Sequence, residues 1–401
     1  MFKVIHLILH NGFTKAVKFY FRKFFGKGGT FISLKVYARK HPESVAIVCQ
    51  GKENTIYAEN QLDLVYENAL RAGREIDTFV VMVKGASCFA YSDLVILDDG
   101  HYYCETKDNP IIRQVSDCSD GYVLKQDKKY FCMVDIPRQK QCLKKGVFLS
   151  GLFSCNYYHY TFQIIPKLQW IEKVDPDVPI LVDRNVEEIP SFACLLSICN
   201  VQNRPVVVLE EDVQYSVEEL YLVSLQTVLV SKYKDGVVPS VGGCYYRPST
   251  LRYLRDRIIP YASYSSDYPK KIFLGRKYAS GRRPFNEEEC ISCAKEFGFE
   301  VVYPELMTFE QQVGLFHNAE CIIGGSGAAF TNLIYCSNNV KVVVFSKYHV
   351  RFALWQTIVE FIGGKMCFLE ENESELPSSQ LMHVPFHVDI QKLKTILHGI
   401  E

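Results

Sequence analysis

Net charge is the first thing this chain lacks. Its 45 Lys and Arg are matched by 45 Asp and Glu. No broad positive field therefore argues for a nucleic-acid partner. Long apolar runs are missing as well, and no stretch reaches the roughly 18–20 residues that a membrane-spanning helix needs. Tryptophan is scarce at 2 residues, whereas Tyr (25) and Phe (26) are plentiful. That balance suits aromatic-rich strands and sugar-stacking surfaces, with the core as the commoner destination. The 15 cysteines are odd in number and irregularly spaced. No cleavable signal sequence is read ahead of them, so a reduced, cytoplasmic setting is expected in place of a disulfide framework. Cys290 and Cys293 form a CxxC, but inside an expected helix and without a second pair. His383 and His387 have helical spacing, yet Pro385 lies between them and spoils the helix. No metal site is expected.

What is present begins with an uneven N-terminus. Residues 1–42 hold nine Lys/Arg and no acid before Glu43. On a helical projection Phe13, Ala16, Val17, Tyr20 and Phe24 share one side, opposite Lys15, Lys18 and Arg22. Two readings stand: a basic helix over residues 1–28 on an anionic membrane face, or a solvated helix packed on its own domain. Residues 76–135 are β-rich, with short strands expected at 79–83, 88–91, 94–97 and 102–105 between glycine and aspartate turns. From Gly146 strands and helices alternate: strands at 147–150, 180–182, 205–209, 271–274, 299–303 and 340–345, helices at 157–173, 189–199, 249–259, 286–297 and 308–317. Gly236, Pro239, Gly242 and Gly243 mark a crossing between two units. The expected fold is α/β, with two Rossmann-like domains facing a cleft and a β-rich N-terminal portion. The boundaries are 1–42 for the basic segment, 43–240 for an acceptor-side domain and 241–401 for a nucleotide-binding domain.

Three places offer chemistry. GGSGA (324–328) follows the apolar strand residues Cys321 to Ile323 and precedes an expected helix to Tyr335, a strand–turn–helix arrangement suited to a phosphate. The same turn lies one residue from the GxSxG elbow of serine hydrolases, which would need Glu360 or Glu370 and His383 or His387 as partners of Ser326. Arg276 stands at the carboxyl end of strand 271–274, ahead of Arg282 and Arg283, and a guanidinium there pairs with phosphate oxygens in bidentate fashion. His159 and Gln163, four apart, share a helix face at a strand-to-helix junction, where an imidazole can take a proton near neutral pH.

Taken in order, five segments resemble glycosyltransferase family 61, the capsular-polysaccharide and EGF-domain-specific O-GlcNAc transferase-like family. They are NYYHYTFQIIP (156–166), KIFLGR (271–276), RRPFNE (282–287), GFEVVYPELMTFEQQVGLF (298–316) and GGSGAAFTN (324–332). The resemblance implies a GT-B fold and an inverting, metal-independent hexosyl or pentosyl transfer from a nucleoside diphosphate sugar, such as a UDP-sugar, with no further cofactor. It implies a nucleotide-sugar site built from Arg276, Arg282, Arg283, Glu305, Gln312, Gly324, Gly325, Ser326, Gly327, Ala328, Thr331 and Asn332. His159 and position 163 are the implied catalytic pair, and the implied acceptor is a glycan. The reduced cysteines and the basic N-terminal segment point to a lipid-linked glycan at the inner membrane face, and a soluble acceptor fits the same sequence. Two residues depart from the family pattern. Ser326 stands where the family has histidine, and Gln163 where it has a carboxylate, which an amide cannot replace as a base.

Overall fold

The computed structural model describes residues 27–49, 53–54, 73–74, 78–105, 122–126, 131–229, 244–277, 283–347, 353–371 and 384–400. The amphipathic segment at 13–24, Arg282, His383 and most of the expected crossing (230–243) lie outside them.

Two sheets dominate. The first has eight strands: Val206–Leu209, Ile180–Asp183, Gln139–Phe148, Val213–Val223, Thr78–Cys88, Leu94–Ile96 and Tyr102–Cys104 in spatial order, with Val45–Cys49 also paired to Thr78–Cys88. Its first four strands are parallel; from Val213–Val223 onward the pairing is antiparallel. The second sheet is all parallel, in the order Glu300–Val302, Lys271–Leu274, Cys321–Gly325, Lys341–Lys347 and Lys365–Glu371. Numbered along the chain, that order is 2-1-3-4-5. Strands buried on both faces read as continuous apolar runs, as in VVVF and CII.

Helices cover both faces of the second sheet. Glu287–Glu296 and Ile390–Ile400 pack on one through Cys290, Cys293, Leu393 and Leu397 against Phe273, Ile323 and Val343. The CxxC pair is thus core. On the other face Phe309–Asn318, Ala328–Tyr335 and Ala353–Phe361 meet Ile272, Ile322 and Val344. The same apolar cluster continues through Tyr158, Phe162 and Leu195 to Val147, Ile180 and Val182 of the first sheet, so one core joins both sheets. Helix Pro248–Ile258 lies between the halves: Tyr253 Oη donates to Cys199 O at 3.4 Å, and Arg255 Nη1 donates to Ile334 O and, at 2.8 Å, to Cys336 O.

Several local expectations change. The strand expected at 79–83 runs on as Thr78–Cys88, because Gly85 takes φ +65° and keeps register, with Lys84 opposite Glu219 and Ala86 opposite Val217; of the strand expected at 88–91 only Cys88 belongs to it, and Ala90 and Tyr91 form a turn. Strand Val213–Val223 was not expected at all, although it is the longest partner of Thr78–Cys88. The strand expected at 147–150 begins earlier, at Gln139. The helix expected at 157–173 is one α-turn (Tyr157–His159), a π-type turn (Tyr160–Ile164) and a 3-10 segment ending at Trp170. Pro166 has no N–H to continue an α-ladder, and Ile165 N–H instead reaches back five residues to Tyr160 O. Ala328–Tyr335 is likewise a 3-10 helix.

The loop leading to His159 is tied to the first sheet by a buried carboxylate. Asp183 accepts from Ser150 Oγ at 2.7 and 2.9 Å, from Ser154 Oγ and from Tyr91 N–H at 2.8 Å. Burial pushes its carboxyl up to about 6, against those donors.

Candidate functional site

In an open parallel sheet, the crevice outside the strand carboxyl ends opens where the strand order reverses. Here the reversal falls between Lys271–Leu274 and Cys321–Gly325, which pair in parallel. Arg276 leaves the first of these strands and the glycine turn leaves the second.

Arg276 Nη2 donates to Ser326 O at 2.8 Å and Nη1 to Arg283 O at 3.2 Å, while Arg283 Nη1 donates to the same Ser326 O at 3.0 Å. Two guanidinium groups therefore converge on one carbonyl at the turn. The Arg276 guanidinium also lies 5.5 Å over the Phe285 ring. Burial draws its pKa down from the ordinary value and Glu287 opposes that. Glu287 Oε1 accepts the Arg276 main-chain N–H at 3.1 Å. Burial, and the neighbouring Glu305, raise the Glu287 carboxyl against Arg276. Glu305 accepts the Lys277 main-chain N–H at 2.8 Å and so holds the next residue of the same loop. Arg283 sits at φ +55°.

The turn is built for close approach. A Cβ at Gly325 would stand 2.6 Å from Arg276 Nη2 and 2.7 Å from Phe285 Cε1, so only glycine admits the guanidinium there. Gly324, at φ +155°, lies against Leu274 O. Ser326 N–H donates to Phe345 O at 2.9 Å, and Ser326 Oγ accepts from Trp355 Nε1 at 3.4 Å. Gly327 and Ala328 turn outward, the latter exposed. Thr331 and Asn332 turn inward and are fully buried. Asn332 Oδ1 accepts from Tyr157 Oη at 2.6 Å, and its Nδ2 donates to Gln312 Oε1 at 3.0 Å. Gln312 also donates to Met307 O at 3.3 Å. Asn332 and Gln312 thus brace the turn from behind.

His159 reaches this region from the first half of the chain. Its Nδ1 lies 2.5 Å from Gln163 Oε1, and Gln163 Nε2 donates to Thr227 O at 3.0 Å. The imidazole centroid is 4.9 Å from Phe153 and 5.3 Å from Tyr158. Burial pushes the imidazole down to about 4, against the Gln163 contact, so the ring is neutral at pH 7. Tyr158 packs edge-on against Trp355 at 5.5 Å. A relay of packed rings therefore runs from His159 through Tyr158 and Trp355 to Ser326. Neither Trp355 nor Glu287 was singled out from the sequence as a site residue; the run of acids opening helix Glu287–Glu296 was the signal for the second.

Among the described residues Trp355 is the hydrogen-bond partner of Ser326 Oγ, and no imidazole contacts it. His387 lies exposed, 3.8 Å from Glu289. A serine triad therefore does not assemble from the described residues.

Residues 157–343 match the family model described as Glycosyltransferase 61. No curated protein sequence matches the chain. The matched stretch runs from Tyr157, beside His159, through both strands of the switch point to the middle of strand Lys341–Lys347.

Proposed function

Across residues 157–343 the chain belongs to glycosyltransferase family 61, and from that premise we propose an inverting, metal-independent transfer of a hexose or pentose from a nucleoside diphosphate sugar to a glycan. The family carries the sugar donor and glycan acceptor; the donor chemistry is our reading of the site. The observation behind it is the convergence of Arg276 and Arg283 on Ser326 O at the reversal of the parallel sheet.

In this reading the donor diphosphate lies along the outward face of Gly324–Ala328, where glycine lets the backbone approach and the helix start offers N–H groups. Arg276 and Arg283, with Arg282 from the same loop, supply the positive charge that offsets the negative charge growing on the leaving diphosphate. Fixed charge of this kind supplies most of the acceleration in such a reaction, because it needs no reorganisation at the moment of transfer. The acceptor oxygen attacks the anomeric carbon from the face opposite the diphosphate. The new C–O bond forms as the bond to the diphosphate oxygen breaks, the bonding pair leaves with the diphosphate, and the hydroxyl proton passes to the neutral imidazole of His159. The two halves then form a GT-B arrangement with the acceptor on the side of the first sheet. The product would be a capsular or surface polysaccharide, and the basic residues 1–28 would hold the enzyme on the inner membrane face. Deleting residues 1–28 should release it from anionic vesicles; unchanged sedimentation would end the anchor reading.

A second reading is favoured by Gln163 and Ser326, which stand where the family carries an acid and a histidine: a nucleotide-sugar or glycan binder without turnover. A thermal-shift panel of nucleoside diphosphates and nucleotide sugars, with and without divalent cation, followed by donor hydrolysis and transfer assays, separates the two. A stabilising nucleotide that needs no cation, with transfer, supports the enzyme. Stabilisation without any turnover supports the binder, and no stabilisation by any nucleotide removes the enzyme and the nucleotide-sugar binder, leaving only a binder of glycan.

A further inference from the structure

Gln163 is oriented from its far side. Its neighbour there is Thr227 O, a main-chain carbonyl that can only accept, at 3.0 Å from Nε2. The amide nitrogen must therefore face Thr227, and the amide oxygen must face His159. That oxygen lies 2.5 Å from Nδ1 and, being a carbonyl, can only accept as well. The proton between them belongs to Nδ1. A neutral imidazole has one N–H and one lone pair, so the lone pair is left on Nε2.

The geometry points to Gln163 as a positioning residue that locks His159 in the Nδ1–H tautomer, with Thr227 O setting the direction of the lock and Nε2 presented as the proton acceptor. The catalytic part of this inference rests on the reading of His159 as the base; the tautomer stands apart from it. The surroundings keep the arrangement in place. Thr227 is buried in strand Thr227–Leu229, which pairs with Cys244–Tyr246. Tyr246 Oη in turn lies 2.6 Å from Tyr158 Oη, next to His159 in the chain. Phe153 and Tyr158 flank the imidazole and resist a ring flip that would exchange its nitrogens.

The same carbonyl explains why an amide occupies a position where related sequences are expected to carry an acid. A carboxylate at 163 would set an oxygen against Thr227 O at the distance Nε2 now occupies, with no proton between them. It would have to swing away or become protonated. Here the orienting group is uncharged, and an amide next to the imidazole fixes the ring without adding the charge that would make it more basic.

Long-range proton–nitrogen correlation NMR on the full chain carrying 15N-histidine tests this directly, with His159 assigned by its loss in His159→Gln. The wild-type protein at pH 7 should show an Nδ1 shift of the protonated type and an Nε2 shift of the unprotonated type. The reverse pattern, or a mixture, overturns the proposal without recourse to any variant. In Gln163→Ala the pattern should drift toward a mixture; an unchanged pattern would also overturn it. In kinetics, Gln163→Ala should lower kcat by about tenfold to a hundredfold, at or below the lower end of the range for losing a general base outright, with donor KM little changed. A tautomer that shifts in Gln163→Ala while kcat does not would uphold the lock and remove His159 as the base.

Discussion

Arg276 and His159 do different work because burial acts on them differently. A guanidinium keeps its charge even when partly desolvated, whereas an imidazole in the same circumstance gives its proton up. Arg276→Ala should therefore weaken donor affinity or turnover by roughly 2–4 kcal/mol, as for loss of a transition-state charge contact. Arg276→Lys should recover only part of it, since one ammonium cannot span Ser326 O and Arg283 O together. Unaltered donor binding and turnover in both variants would take Arg276 out of the site. For His159, whose pKa is depressed to about 4, the stabilising effect of its neutral form is complete above its ordinary value of 6.5 and is lost as pH falls toward 4. Asp183, raised to about 6, has the opposite sign: its effect is complete below the ordinary 3.8 and is lost as pH rises through 6. Between pH 4 and 6 the two oppose each other. Urea midpoints at pH 7 and pH 5 should then fall more steeply in Asp183→Asn than in wild type, and should rise toward pH 5 in His159→Gln relative to wild type. Parallel behaviour of all three proteins would contradict both assignments. Arg276 was legible in the sequence because a strand pattern ends one residue before Gly275. Thr227 and Trp355 were not, because they reach the site from segments whose own patterns point only to a strand and a helix.

Elements carry the next set of constraints. Gly325→Ala would place a methyl where Arg276 Nη2 and Phe285 now lie, at 2.6 and 2.7 Å. Overpacking of that order costs about 1–3 kcal/mol, and here the yielding group is the guanidinium, so donor-induced stabilisation should fall along with the melting temperature. Gly314 is stricter: a Cβ on helix Phe309–Asn318 would sit 1.8 Å from Ser263 O, a main-chain atom. Gly314→Ala should cost stability at or above the upper end of that range and shift the denaturation midpoint whether or not nucleotide is present. The alternation of strand and helix from 147 onward was readable because both faces of a parallel strand are apolar. Val213–Val223 escaped because Ser216, Glu218 and Glu219 interrupt the run; the strand is fixed by its two long neighbours, which act across more than sixty positions of sequence. The irregular turns after His159 escaped for another reason. Helical periodicity does not distinguish α, π and 3-10 hydrogen bonding, and only Pro166 hinted at the change.

At the scale of the whole molecule the two sheets share polar braces as well as apolar surface. Tyr157 comes from the first half of the chain, Gln312 and Asn332 from the second, and the three form one hydrogen-bonded chain. Asn332→Ala would leave the Tyr157 hydroxyl and the Gln312 carbonyl oxygen buried without that partner. At about 1–3 kcal/mol for each orphaned group, equilibrium unfolding should register a loss of several kcal/mol. Asn332→Asp tests the same brace with volume held constant and should also destabilise, because a carboxylate cannot donate to Gln312. A change within experimental scatter for both would mean that the brace carries no energy. The change of rhythm near Gly146, where strands and helices begin to alternate, was visible in the sequence, while most of the glycine- and proline-marked crossing lies outside the described residues. The shared core was not, because a sequence does not record which apolar faces meet. That shared core, running from Val147 and Ile180 to Ile322 and Val344, decides how the molecule comes apart. Neither half can melt first without wetting the apolar face of the other, so heating should give a single calorimetric peak whose van't Hoff and calorimetric enthalpies agree. For the same reason the C-terminal half expressed alone should be sticky and short-lived, and evolution could exchange the halves between relatives only by exchanging their facing helices with them.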